Sequence, residues 1–185
     1  MRGPHCNRKT VPIRKRKNTA LVAIGSNLAS PSGRTPLQTC REAAAALGRM
    51  PRWRLAKLSR WYRTVPDPPL PNAPPFVKGV ALLEGEAGGD PARLLAMLHG
   101  LEDAAGRTRP FPNAPRTLDL DLIAMDDLRR AAAPALPHPR AHLRRFVLQP
   151  LVDVSPGWRH PVLGLTAEDL LAALPEEDLP EPLPE

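Results

Sequence analysis

The octapeptide Arg-Thr-Leu-Asp-Leu-Asp-Leu-Ile at 116–123 constrains the fold of this chain more than any other stretch. Alternation of leucine with polar residues marks a β-strand that buries one face. Side chains two residues apart share a face, so Leu118, Leu120 and Leu122 point one way and Asp119 and Asp121 the other. The strand rise then sets the two carboxylates about 6 to 7 Å apart along the backbone. Like charges at that separation raise each other's pKa unless a cation compensates them. A hard divalent ion such as Mg2+ meets that need, because it binds through one or two carboxylates together with the phosphates of a nucleotide. The other reading is two acids on a solvated sheet face, paired to arginines. Arg107, Arg109 and Arg116 lie just upstream, and the planar guanidinium fork suits phosphate oxygens. Paired acids beside clustered arginines describe a site for a polyphosphate with Mg2+. The chain has no GxxxxGK[ST] loop and no kinase-type glycine loop, which excludes a standard P-loop enzyme or protein kinase.

The flanking sequence supplies the elements around that strand. Residues 20–25 form an apolar run ended by Gly-Ser-Asn, a buried strand followed by a turn. Residues 35–50 read as a helix, with Thr35 as N-cap, Pro36 in the first turn and an alanine-rich interior. Residues 53–64 alternate imperfectly and read as one strand. The prolines of 65–75 permit neither a helix nor a central strand, so this segment is a surface loop. A third strand follows at 76–86, then a helix capped by Asp90, opened by Pro91 and ended near Gly106. With the strand at 116–125 the order is β-α-β-β-α-β. This predicts an α+β fold, a ferredoxin-like sandwich with two helices on one face of an antiparallel sheet. Extra C-terminal helices are expected within 139–154 and 166–174.

At 185 residues and 42% hydrophobic content, one domain with a sizeable core is expected. The net charge of +7 is unevenly spread: residues 1–18 hold seven basic and no acidic residues, and 176–185 hold five acidic and no basic ones. These segments are expected to be a disordered basic tail and an acidic, proline-rich tail around a domain at 19–175. A basic tail can touch nucleic acid through phosphates. No RNA-recognition, zinc-finger or helix-turn-helix signature accompanies it, which disfavours a nucleic-acid partner. No apolar run approaches the roughly 18 to 20 residues that span a bilayer, and the N-terminus lacks the apolar region of a secretory signal. A soluble, cytoplasmic protein without a membrane partner is expected. Cys6 and Cys40 have neither zinc-site spacing nor the density of a disulfide scaffold, which suits a reducing compartment.

Four segments, ALVAIGSNL, WYRT, GRTRPFPNAPRTLDLDLI and LPHPRAHLRRFVLQPLVDVSP, together resemble the 6-hydroxymethyl-7,8-dihydropterin pyrophosphokinases of folate biosynthesis over about residues 20–160. The resemblance implies the same ferredoxin-like fold and a catalytic role for the central domain. It further implies that Asp119 and Asp121 hold two Mg2+ ions. ATP would be the co-substrate, its pyrophosphoryl group passing to the pterin hydroxymethyl oxygen with release of AMP. Arg107 and Arg116 would act with the aspartates, and His99, Arg107, Arg109, Arg116, Leu122 and His138 would contact ATP. Thr64, Val65, Phe76, Lys78, Arg144 and Phe146 would form the pterin side, with Phe76 and Phe146 stacking on the ring. A monomer that takes these two small molecules is implied. From the residues alone, His138 equally reads as a turn cap, Phe76 and Phe146 as core, and Glu102 as a salt-bridge partner.

The chain departs from the family pattern on the substrate side. Lys78 stands where the family has an asparagine that reads the pterin; an amide donates and accepts, whereas an ammonium only donates. His99 replaces a common glutamine, Asp67 lies where the loop is usually apolar, and His-Leu-Arg-Arg-Phe at 142–146 replaces His-Glu-Arg-Ala-Phe. Two alternatives follow: a paralogue that takes a related pterin with an anionic group facing Lys78, or a catalytically silent nucleotide- or RNA-binding module.

Overall fold

Branched and apolar residues run through the first strand, β1 (Asn18–Ser26), and place it at the centre of a sheet. In this computed structural model, which describes residues 17–69, 71–107, 114–177 and 179–184, β1 pairs antiparallel with β4 (Phe76–Gly85) on one side and β5 (Asp119–Met125) on the other. The edge segments β2 (Trp53–Leu58) and β3 (Tyr62–Thr64) both pair antiparallel with β4. The helices α1 (Pro36–Leu47) and α2 (Pro91–Ala104) link β1 to β2 and β4 to β5. This is the expected β-α-β-β-α-β arrangement, every neighbouring strand antiparallel. The basic segment 1–16 and Arg109 lie outside the described residues.

The expected single strand at 53–64 is broken between β2 and β3. At the break the Ser59 hydroxyl accepts from the Val80 amide and donates to the Arg60 carbonyl, so a side chain does the work of a ladder group. The Trp61 indole lies on Gly79, where a Cβ would come within 2.6 Å of the ring. The alternation in the sequence was imperfect because two short strands meet there out of step.

Both faces of the sheet are covered. On one face Val22, Ile24, Leu83, Leu118, Leu120 and Leu122 pack with Leu47 of α1 and Leu94 and Leu98 of α2. On the other, Leu21, Val80 and Ile123 pack with Val147, Leu151 and Val154 of α3 (Arg145–Val154) and with Ala167 of α4 (Ala167–Ala172). The C-terminal helices thus form a third layer. Local chemistry sets the helix ends: Thr35 and Gln38 make a capping box, as do Thr166 and Asp169, and the Asp90 carboxylate accepts from the Ala92 amide. Cys40 is buried in the first cluster, where burial pushes its thiol up to about 12 and keeps it protonated at neutral pH. Among the described residues no helix is long and apolar enough to cross a membrane.

Within the acidic segment expected as a solvated tail, two residues add a short strand to the sheet. In β6 (Glu181–Pro182) the side chains are exposed but the backbone pairs with β3, and the Leu183 amide donates to the Trp61 carbonyl. An edge strand with unpaired backbone groups is a ready partner for such a segment.

His160 fastens the connection between α3 and α4. Its Nδ1 accepts from the amides of Val162 and Leu163, and the ring packs against His142 and Trp158. Burial, and secondarily His142, lower its pKa below the ordinary 6.5. A depressed imidazole pKa means that the unfolded chain takes up the proton first as pH falls, so stability from this residue is present above about 6.5 and is lost below it. The fall in Tm between about pH 7.5 and 5.5 should therefore be larger for the native chain than for His160→Gln; equal falls in thermal melts would contradict this role.

Candidate active site

Side-chain alternation sends Asp119 and Asp121 to the sheet face that carries α3, while Leu118, Leu120 and Leu122 enter the opposite core. The central strand places Gly25 opposite Asp119 on one side and opposite Lys78 on the other. Because Gly25 has no side chain, the lysine stem lies across β1: a Cβ at Gly25 would come within 2.6 Å of the lysine Nζ. The ammonium thereby reaches to 3.9 Å from Asp119 Oδ2. Burial pushes the Lys78 pKa down, opposed by the carboxylates of Asp119 and Asp121.

A second cation reaches Asp119 from α2. The helix ends in a Schellman motif, with Gly106 at φ +75°, its amide donating to Asp103 and the Arg107 amide donating to the Glu102 carbonyl. This turn folds Arg107 back onto its own helix, where its guanidinium pairs with Glu102 and stands 2.9 Å from Asp119 Oδ1. Glu102 is 3% exposed and also accepts the Leu120 amide at 2.6 Å. A glutamate in the last turn of a helix opposes the macrodipole. Here it ties the end of α2 to β5 and holds Arg107 in place.

A further cation at Asp119 is Arg116, whose Nε lies 3.6 Å from Oδ2. Its backbone is pinned by the buried Asn27, which accepts the Arg116 amide at 2.8 Å and donates to the Pro74 carbonyl at 3.0 Å. One side chain therefore fastens both the arginine segment and the end of the proline-rich loop. The Asn27 signal lay in the Gly-Ser-Asn turn after β1, which sequence reasoning read as a turn alone.

These groups open into a cleft of about 280 Å³. All six substrate-side residues line it: Thr64, Val65, Phe76, Lys78, Arg144 and Phe146. So do Arg116, Asp119, Asp121 and His138 from the nucleotide side, together with Arg140, which sequence reasoning had not singled out. Three other expected residues lie outside the cleft lining. Arg107 is buried behind Asp119, His99 is exposed on α2 and outside the cleft lining, the Leu122 side chain is buried in the core, and Arg109 is outside the described residues. A larger groove of about 750 Å³ beside α1 and α2 has Ala43, Ala46 and Ala104 on its walls with Arg34, Glu42, Arg49 and Asp103, two charges of each sign, and no aromatic ring lines it. The chemistry lies in the smaller cleft.

The cleft has three kinds of surface. Phe76 and Phe146 present ring faces, with Lys78 Nζ over both and the guanidinium of Arg144 over Phe146. Thr64 is buried and its hydroxyl has no hydrogen-bond partner among the described residues. Arg116, Arg140 and Arg144 supply positive charge; burial lowers the Arg144 pKa, with Arg140 acting the same way and Asp67, 3.9 Å away, opposing. His138 is anchored by its amide on the Ile123 carbonyl at 2.7 Å, and its Nδ1 accepts the Arg140 amide, which leaves the proton of the neutral ring on Nε2. Burial lowers its pKa, so the neutral ring prevails at pH 7.

The donor set accepts a hard divalent ion. Asp121 is half-buried in the cleft lining and makes no ion pair among the described residues, and its neighbour Asp119 supplies a second carboxylate. No cluster of three or more His, Cys, Asp or Glu ligands occurs among the described residues. Two carboxylates without a third protein ligand suit Mg2+ completed by phosphates and water, and do not suit zinc.

A ferredoxin-like sheet that brings a carboxylate pair, three arginines and two phenylalanine rings to one cleft has the parts of a phosphoryl-transfer enzyme. Residues 21–156 match the profile of the 7,8-dihydro-6-hydroxymethylpterin-pyrophosphokinase family, and the chain belongs to that family. It is 40% identical over 159 residues to the 2-amino-4-hydroxy-6-hydroxymethyldihydropteridine pyrophosphokinase of Pseudomonas aeruginosa, covering 85% of this chain and 93% of that one. The enzyme of the same name from Synechocystis is 33% identical over 154 residues, covering 82% and 74%. In fold the chain is similar to wild-type Plasmodium falciparum HPPK-DHPS, with a TM-score of 0.60 at 14% identity over 85% of this chain. The chain spans 44% of that longer protein.

Glu102→Gln is expected to lower unfolding stability by about 2 kcal/mol in denaturant titrations, because the buried Arg107 guanidinium keeps Asp119 but loses the charged partner that ties it to α2. A loss under about 1 kcal/mol would show that Arg107 does not depend on Glu102.

Proposed function

We propose that this chain transfers the pyrophosphoryl group of ATP to 6-hydroxymethyl-7,8-dihydropterin, a step of folate biosynthesis, using the cleft between β4, β5 and the N-terminal end of α3. The acceptor hydroxyl oxygen forms a bond to the β-phosphorus and loses its proton to solvent, the bond from that phosphorus to the α,β-bridging oxygen breaks, and AMP leaves. The observation that carries this reading is the meeting, in one cleft, of the Asp119–Asp121 pair, the arginine wall and the rings of Phe76 and Phe146.

Each residue has a task that its position supports. Asp119 and Asp121 would hold two Mg2+ ions, which neutralise the ATP phosphates and polarise their oxygens. Arg116, Arg140 and Arg144 face the cleft with planar donors suited to phosphate oxygens. Arg107 contributes from behind: its charge, fixed by Glu102, lies against the Asp119 carboxylate and would hold its orientation. His138 offers its Nε2 proton to a phosphate oxygen as a neutral donor. Phe76 and Phe146 hold the pterin by its faces. The buried Thr64 hydroxyl, without a hydrogen-bond partner among the described residues, and the adjacent backbone at Val65 would bind polar atoms on the ring edge. Holding both substrates in line and at close range accounts for most of the catalysis expected in such a transfer.

Pure protein given ATP, Mg2+ and 6-hydroxymethyl-7,8-dihydropterin should form AMP in proportion to the pterin diphosphate. The absence of pterin-dependent AMP overturns this assignment. Asp121→Ala should lower kcat at least about a hundredfold while ATP still binds detectably by calorimetry. Phe146→Ala should raise the pterin KM about tenfold with a smaller effect on the KM for ATP.

A further inference from the structure

Lys78 stands between the acceptor side of the cleft and the metal carboxylates. Its Nζ lies over the Phe76 ring at 4.5 Å from the centroid, over the Phe146 ring at 5.0 Å, and 3.9 Å from Asp119 Oδ2. The side chain is 12% exposed, so water does little to solvate the charge. Among the described residues its ammonium makes no hydrogen bond; ring faces and one long ion pair are what hold it. Its stem keeps to this course because Gly25 leaves the path across β1 open, with a built Cβ only 3.0 Å from Lys78 Cδ.

A flat ring that stacks on both phenylalanines needs contact at about 3.5 to 4 Å from each face. The ammonium already lies over both of those faces. Ring and ammonium therefore cannot occupy the slot together, and the lysine must swing aside before the ring enters.

We infer that Lys78 is a resident occupant of the aromatic slot, an internal competitor that an incoming acceptor must displace, and hence a determinant of which acceptors bind and how tightly. This rests on the reading of Phe76 and Phe146 as the acceptor stack. Displacement takes the ammonium from two ring faces and from Asp119, and a neutral acceptor offers it no anionic partner in return. An acceptor with a carboxylate on the ring edge does offer one, since the displaced ammonium stays tethered to β4 at the slot. The cleft thus disfavours neutral flat rings relative to anionic ones, a bias that an asparagine at this position would not impose.

The test is a fluorescence titration of 6-hydroxymethylpterin and 6-carboxypterin into the native chain, Lys78→Asn and Lys78→Met, with Mg2+ and a non-hydrolysable ATP analogue present. Lys78→Asn should bind the neutral pterin about tenfold more tightly and the carboxylated one by a smaller factor or less tightly. Lys78→Met keeps the stem but loses the charge held by the rings and Asp119, so it should fall between the native chain and Lys78→Asn. In turnover with the dihydropterin the gain should appear in KM rather than in kcat. Neutral-pterin affinity that is unchanged or weaker in Lys78→Asn overturns the inference and leaves the functional assignment standing. No binding of either pterin to any of the three proteins overturns the functional assignment itself.

Discussion

Asp119 is a carboxylate that the fold has taken out of water, and the site is built around its compensation. At 7% exposure a lone charge there is untenable, and among the described residues three cations converge on it from three different segments: Arg107 from the end of α2, Arg116 from the approach to β5, and Lys78 from β4 across Gly25. Each of these cations needs its own restraint. Glu102 holds Arg107, Asn27 holds the Arg116 backbone, and the two phenylalanines hold the Lys78 ammonium. The result is a preorganised electrostatic arrangement in which side chains are fixed before any substrate arrives.

The sheet makes this arrangement possible by dividing its faces. Leucines of β5 enter the core shared with α1 and α2, while the aspartates face the layer of α3, at the end of the sheet where that helix begins. Arg144 and Phe146 flank the start of α3 and complete the cleft from above the sheet. The C-terminal helices, decorations from the standpoint of the β-α-β-β-α-β core, supply half of the acceptor slot. Arg145, between those two residues, donates to the carbonyls of Leu171, Leu174 and Pro175, so α4 helps to fix the segment that carries them.

Much of the architecture was legible because it depends on local rules. The 2-residue period of Leu118–Leu122, the N-caps Thr35 and Asp90, and the stop at Gly106 each act over a few residues and appear in the fold as expected. The break between β2 and β3 was not legible, because it depends on Ser59 meeting Val80 and Trp61 meeting Gly79, partners about 20 residues away. The pairing of β6 escaped for a similar reason: a proline-rich acidic stretch carries no strand pattern of its own, and it orders on an edge supplied by β3. Arg107 was expected beside the phosphates for its chemistry, yet its direction was set by a Schellman turn and a buried glutamate.

By itself the sequence determined the order of elements, the facing of the Asp119–Asp121 pair and the family to which its motifs belong. Periodicity, capping and motif spacing are properties of neighbouring residues and need no partner to be read. Only the tertiary structure decided which cations neutralise Asp119, where Arg107 points, and that Lys78 lies over both rings of the slot. Those outcomes depend on register across β4, β1 and β5, which brings Lys78, Gly25 and Asp119 side by side from segments about 40 to 50 residues apart. A side chain's charge is written in the sequence, but the field it meets is assembled by the fold.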